Sequence, residues 1–281
     1  MTDDGQVRKE QVAGLYNRVA SSYGRVGPDV FAPFGRGLVA STKLSPGEWV
    51  LDVGTGRGAV LFAAIEEVGS SGFVVGIDLA EQMIQKLAAD LHEMRITNAA
   101  VQQMDAEQLT FPDASFDAVL CSYALPLFPN VEQVIAQFQR VLRPGGKIGV
   151  CVPSGGDERW LWYTQLIFAY HQTYQLSMQW VPRILNIAAV THLLQEAGFA
   201  ALSTATQDYE FIYATEQEWW EAQWTDAGRF PLENMPHEVL EKFKSDVFER
   251  LASMKQPGGL HIRRKAFSVV GNKPFIKQEK S

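Results

Sequence analysis

Three acids and a run of glycines carry the chemical signal of this chain. Asp52 stands two residues before Gly54-Thr55-Gly56-Arg57-Gly58, Asp78 closes Val74-Val75-Gly76-Ile77-Asp78, and Asp105 follows a third, shorter apolar run. Glycines let a turn adopt left-handed backbone and come close to a ligand, and an acid at the end of the next strand hydrogen-bonds ribose hydroxyls. The ligand these residues describe contains a nucleoside. Gly54 to Ala59 also satisfies the loose dinucleotide pattern of NAD sites. Asp52 ahead of the glycines, a helix-bearing stretch before the unit, and Asp105 placed to meet an adenine amine turn the reading away from NAD. The Lys-Ser/Thr of a phosphate-binding P-loop is absent.

Alternating strands and helices must position these groups. Pro46-Gly47 breaks the chain before a strand at Trp49–Val53; further strands are expected at Phe73–Asp78, 98–104, Phe116–Ser122 and 147–152. Helices are expected at 59–67 and 81–92, and Val131, Val134, Ile135, Phe138 and Val141 give a third apolar stripe. Arg143-Pro144-Gly145-Gly146 stops that helix. Ahead of all of them, Val12, Leu15, Tyr16, Val19 and Tyr23 recur at helical spacing. The pattern is an α/β doubly wound, Rossmann-like parallel sheet. Beyond it lies an aromatic-rich insertion at 155–186 that includes Trp160, Trp162, Tyr163, His171 and Trp180. A helix at 190–197, a strand at Ala200–Tyr213, a capping box at Thr215-Glu216-Gln217-Glu218, a helix at 239–251 and a strand at 265–270 complete the chain. The expected division is an N-terminal helical segment (1–45), a nucleoside-binding core (46–154), an aromatic-rich cap insertion (155–187), and the rest of the sheet (188–281) with a second helical insertion at about 214–256.

Composition narrows the partners. The chain has 281 residues, 46% hydrophobic and 20% charged, which is enough for a packed core. A net charge of −7 argues against nucleic acid or an anionic membrane, since both attract a basic footprint. Two cysteines, Cys121 and Cys151, make neither a disulfide framework nor a zinc spacing, and no Asp, Glu and His cluster suits a metal. The two fall at the ends of neighbouring strands and read as small buried hydrophobes. Residues 1–10 are polar and no apolar run is long enough to span a bilayer, so a cytoplasmic setting is expected.

Leu51-Asp52-Val53-Gly54-Thr55-Gly56-Arg57-Gly58, Val75-Gly76-Ile77-Asp78, Asp105-Ala106-Glu107, Phe116-Asp117 and Leu142-Arg143-Pro144-Gly145-Gly146 together resemble the class I S-adenosylmethionine (SAM)-dependent methyltransferases. The resemblance is strongest to the ubiquinone and menaquinone biosynthesis (type 11) branch. It implies a seven-stranded sheet with a reversed last strand, a helical cap after strands five and six, SAM as cofactor and S-adenosylhomocysteine as product. It also implies roles by position. Asp52, Gly54, Thr55 and Gly56 would hold the methionine end, Asp78 the ribose, and Leu79 and Met83 the neighbourhood of the adenine. Asp105 and Ala106 would read the adenine edge, Cys121 and Ser122 would lie beneath the sulfonium, and Tyr16 and Tyr23 would close over the cofactor.

The acceptor is less defined. The loop after strand four, Tyr123-Ala124-Leu125-Pro126-Leu127-Phe128, lacks the histidine that many of the resembling enzymes carry there. His171 in the aromatic insertion is the remaining candidate base, with Tyr23 as an orienting hydroxyl; His92, His192, His237 and His261 have weaker settings. Six of the seven tryptophans follow strand five, which suits a hydrophobic or aromatic small-molecule acceptor, or else serves only to glue a cap to the sheet. Methyl transfer to oxygen is favoured, with carbon or nitrogen next. The alternative is a SAM-binding protein that does not transfer methyl, cyclase-like, using the sulfonium charge electrostatically. Monomer and homodimer both fit the sequence.

Overall fold

A computed structural model describes residues 3–176 and 185–275; Trp180 lies outside the described residues. Valine- and isoleucine-rich runs bounded by glycine or proline form the strands, and the amphipathic stretches between them form helices. In chain order these are α1 (Asp3–Val19), α2 (Ala32–Thr42), β1 (Trp49–Val53), α3 (Leu61–Val68), β2 (Phe73–Asp78), α4 (Glu81–Glu93), β3 (Ala99–Gln103), β4 (Phe116–Ser122), α5 (Val131–Val141), β5 (Leu142–Gly156), α6 (Leu161–Thr173), α7 (Ile187–Glu196), β6 (Ala200–Tyr213), α8 (Glu216–Ala222), α9 (Arg229–Glu233), α10 (His237–Met254) and β7 (Leu260–Asn272).

The seven strands lie in the order β3-β2-β1-β4-β5-β7-β6. The first five run parallel, and β7 runs antiparallel to both β5 and β6. The order reverses between β1 and β4, the switch point at which an open sheet leaves a crevice beyond its strand ends. Alternation along each strand divides the core. Leu51, Val119 and Cys121 face one side with Phe138, while Val50, Leu120 and Cys151 face the other with Phe34. Because Ser122 pairs with Cys151, the two cysteines project to opposite faces; both are free and buried.

Several expectations shift at their edges, for local reasons. The N-terminal helix stops at Val19, and Tyr23 sits in the following turn, its amide donating to the Val19 carbonyl at 2.9 Å. Helix α3 begins at Leu61 because Gly58, at φ +87°, still belongs to the turn. Strand β5 starts at Leu142, so Arg143 to Gly146 lies inside it; Gly145 and Gly146 exchange backbone hydrogen bonds with Lys273 beyond the end of β7. Helix α2 has no counterpart in the sequence reading, yet it buries Phe34, Leu38 and Val39 against the sheet. A Cβ at Gly35 would meet the Ala59 carbonyl oxygen at 2.3 Å, so glycine permits this close approach.

A third cluster joins the helices that follow β5 and β6, called the cap below. Trp160, Tyr213, Trp219, Trp220, Phe243 and Leu251 pack from the turn before α6, from α8 and α10, and from the end of β6. Trp160 stacks on Trp219 with ring centroids 5.2 Å apart. No described helix is long and apolar enough to cross a membrane.

Candidate functional site

The turn after β1 is held by the end of β2: the Gly54 and Thr55 amides each donate to the Ile77 carbonyl at 2.9 Å. Gly54 and Gly56 have φ of +70° and +53°. A Cβ on Gly54 would lie 2.4 Å from that of Ala124, so a side chain there would collide with the loop after β4. Asp52 is buried and accepts a 2.6 Å hydrogen bond from the Thr55 hydroxyl. Burial pushes its carboxyl up to about 7, although the Thr55 hydroxyl pulls the other way. The Asp78 carboxylate is fixed by the Gly56 and Ala80 amides, both at 2.9 Å. Burial raises its pKa as well, against those backbone donors.

A cavity of about 370 Å³ opens at the switch point. One end is walled by Gly54, Gly56, Asp78, Leu79, Asp105 and Ala106. Lys9, Val12 and Tyr16 of α1 cover it. Lys9 reaches Asp105 at 2.7 Å and the buried Glu107 at 2.8 Å, which ties α1 to the loop after β3. Asn17 caps α4 through the Gln82 amide at 2.9 Å, a second tie between the lid and the nucleoside end. Behind the glycine turn lies another cavity of about 530 Å³, lined by Asp52 and Thr55; the two share Tyr23, Phe31, Gly54, Gly56, Ser122 and Tyr123 as walls.

The far end of the first cavity is aromatic and contains two charged groups. Tyr23 stacks on Phe31 at 4.6 Å, and Phe31 meets the Tyr123 ring edge-on at 5.8 Å. Tyr123 has φ +62°, an uncommon conformation for a bulky residue that costs roughly 1–3 kcal/mol and holds its ring at the cavity wall. Asp226, in the α8–α9 loop, lines the cavity with Gln223 and Gly228. Its carboxylate accepts from the Gly228 amide at 2.8 Å, while burial raises its pKa, opposed by the field of Arg264. Arg264 reaches the same space from β7.

The structure therefore brings together Tyr16, Tyr23, Gly54, Gly56, Asp78, Leu79, Asp105, Ala106 and Ser122, with Asp52 and Thr55 behind the turn. Three expected residues do not reach it. Met83 is fully buried against Val19 and Ala20 under α1. Cys121 projects into the core, because its neighbour Ser122 takes the cavity side. His171, the expected base, is buried beside the cap core, and its Nε2 lies 2.9 Å from the Pro231 carbonyl. None of the described tryptophans lines the cavity either. All but Trp49, which stacks on Phe73 at the start of β1, build the cap core, and the cavity's rings come from Tyr16, Tyr23, Phe31, Tyr123 and Phe128 instead.

Sequence reasoning missed Lys9, Tyr123, Asp226 and Arg264. Asp226 begins an Asx turn in Asp226-Ala227-Gly228 that reads as an ordinary loop. Arg264 left one faint sign, since period-two alternation through Arg263-Arg264-Lys265 turns the middle cation away from its two exposed neighbours.

The comparisons with known proteins agree with this geometry. A methyltransferase domain family matches residues 44–214, more than half of the chain. Aklanonic acid methyltransferase DauC from Streptomyces sp. (strain C5) is 41% identical over 145 residues, covering 52% of this chain and 66% of that protein. Nocamycin O-methyltransferase from Saccharothrix syringae is 42% identical over 139 residues, covering 50% of each. The chain thus spans about half to two thirds of the length of these curated relatives. Among solved structures, a putative methyltransferase from Bacillus halodurans superimposes with a TM-score of 0.58 at 25% identity, covering 85% of this chain and 98% of that one. The fold, the glycine turn with its acids and these matches agree: the chain belongs to the class I SAM-dependent methyltransferases.

Proposed function

We propose that the chain transfers the methyl group of SAM to an oxygen of a hydrophobic or aromatic small molecule. The observation that carries this reading is one continuous cavity with Gly54, Asp78 and Asp105 at one end and Phe31, Tyr123, Asp226 and Arg264 at the other. SAM supplies an activated methyl on a cationic sulfonium. The chain's own work is alignment, exclusion of water and removal of one proton; positioning alone is worth up to roughly 7–11 kcal/mol. The donors on Asp78 leave lone pairs for two ribose hydroxyls, and Asp105 and Ala106 stand where an adenine edge would be read. Asp52 balances the methionine ammonium from behind the turn. Tyr16, Tyr23 and Phe31 give a dry aromatic wall toward the transfer point. Asp226 takes the acceptor's hydroxyl proton; a buried carboxylate with a raised pKa is the stronger base.

One relative is named for aklanonic acid and another as an O-methyltransferase, which supports a small molecule and an oxygen acceptor here. The charge of −7 favours such a molecule over nucleic acid, and two free cysteines suit a reducing cytoplasm. Incubation with methyl-labelled SAM and a panel of polycyclic phenols, quinols, hydroxy acids and amines tests the reading. Labelled O-methyl product with stoichiometric S-adenosylhomocysteine is expected. Tight SAM binding with no label transferred across the panel would replace it with a non-transferring, cyclase-like use of the sulfonium.

A further inference from the structure

Among the described residues, Arg264 is the one cation at the far end of the cavity that the reaction does not need. Its guanidinium is buried, and its Nε has no hydrogen-bond partner. No carboxylate among the described residues lies within ion-pair distance of it, whereas its neighbours Arg263 and Lys265 both pair with Asp208 on the outer face. Its side chain is steadied by a hydrogen bond to Tyr213, and the fields of Asp226 and Tyr123 act on it through space. Burying a guanidinium without an anion is costly, so proteins rarely keep one unless something else supplies the negative charge. Arginine's planar fork suits a planar, two-oxygen anion received in the bidentate manner. The aromatic wall of Phe31 and Tyr123 beside it fixes the rest of such a molecule as flat and apolar.

We infer that Arg264 is the anchor for an acidic group on the acceptor, so that the substrate class is a flat aromatic or polyketide-like molecule carrying a carboxylate or an ionised 1,3-dicarbonyl. This rests on the proposed methyl transfer for the identity of the site, and adds the chemistry of its occupant. Anchored at Arg264, the acceptor lies across Asp226, and its negative charge strengthens that carboxylate as a base. The anchor is a specificity device: neutral analogues leave the guanidinium unpaired and bind less tightly.

The test uses matched pairs of acid and carboxamide of increasing size: benzoate, 2-naphthoate and anthraquinone-2-carboxylate. Binding is measured by calorimetry on the full chain with S-adenosylhomocysteine present. At least one acid is expected to bind about tenfold or more tightly than its amide, the loss of a charge-assisted pair. Arg264→Met should erase the preference, and Arg264→Lys should retain part of it. Equal binding of acid and amide throughout, including no binding of either, overturns the inference, as does a preference that survives in Arg264→Met. Affinity for S-adenosylhomocysteine, measured alone, separates this failure from failure of the methyl-transfer reading.

Discussion

Asp78 is tied to two backbone amides before any ligand arrives, so its position does not depend on the cofactor. Asp78→Ala should therefore weaken S-adenosylhomocysteine binding by at least about 1.5 kcal/mol, more than tenfold, through lost charge-assisted hydrogen bonds. Calorimetry checks this, and unchanged affinity would remove Asp78 from the site. Asp226 is expected to act on the rate alone: Asp226→Asn should lower kcat by about 10²- to 10⁴-fold while S-adenosylhomocysteine affinity holds. Asp52 makes a third, pH-dependent prediction. Its folded-state pKa of about 7 lies above its ordinary value of 3.8, so between those values the folded chain holds a proton that the unfolded chain has lost. Stability from this group is full below about pH 4 and declines as pH rises towards 7. Asp52→Asn should flatten that slope in urea unfolding. A ligand ammonium beside the carboxylate favours its ionised form, so S-adenosylhomocysteine affinity should rise across the same window in the parent chain and not in the variant. A slope identical in both chains would put the charge elsewhere.

Helix α1 is polar on much of its surface, and its place over the cavity depends on a few named ties. Lys9 joins Asp105 and Glu107, Arg18 reaches Glu233, and Leu15 packs against Phe230. Lys9→Met leaves a buried carboxylate unpaired at Glu107 and should cost about 3 kcal/mol or more. It should also release α1 to protease, and Glu107→Gln in the same chain should restore part of the loss; an unaltered digestion pattern would show that the apolar contacts suffice. The ion pairs run between residues 96 to 215 positions apart, which is why no local pattern in α1 announces them. The strands are different. Phe73–Asp78 and Phe116–Ser122 are bounded by their own turn residues and cross a buried sheet, so their limits were legible in the sequence. Helix α2 was not, because Pro33, Gly35 and Gly37 depress its helical signal and tertiary packing of Phe34 and Leu38 supplies the stability instead. The same division applies to the site. The end carrying the glycine turn and its acids lies on successive strand ends and was readable as a motif; the proposed acceptor end draws Asp226 and Arg264 from distant segments, and only the folded sheet joins them.

The molecule keeps two separate kinds of core, and in the proposed reaction this separates the two substrates. The faces of the sheet hold the glycine turn and its acids, whereas the cap core of Trp219, Trp220 and Phe243 joins α8 to α10, and the loop bearing Gln223 and Asp226 runs from the end of α8 to α9. Sequence position left the tryptophans as pocket walls or as glue between cap and sheet; packing makes them the mounting for the wall. Damage to the cap core should therefore reach the acceptor and spare the cofactor. Phe243 is fully buried and meets the rings of Tyr163, Tyr170 and Trp220, so Phe243→Ala should cost about 3–5 kcal/mol. If the cap opens as a unit, denaturant unfolding of this variant separates into two transitions, with the first followed by tryptophan fluorescence. Below that first transition, acceptor KM should rise as the Asp226 loop loosens, while S-adenosylhomocysteine affinity stays within about twofold of the parent, the sheet and the Lys9 ties of α1 to Asp105 and Glu107 being untouched. A parallel loss of both affinities would mean that cap and sheet unfold as one cooperative body, and that the acceptor site is mounted on the sheet itself through Arg264.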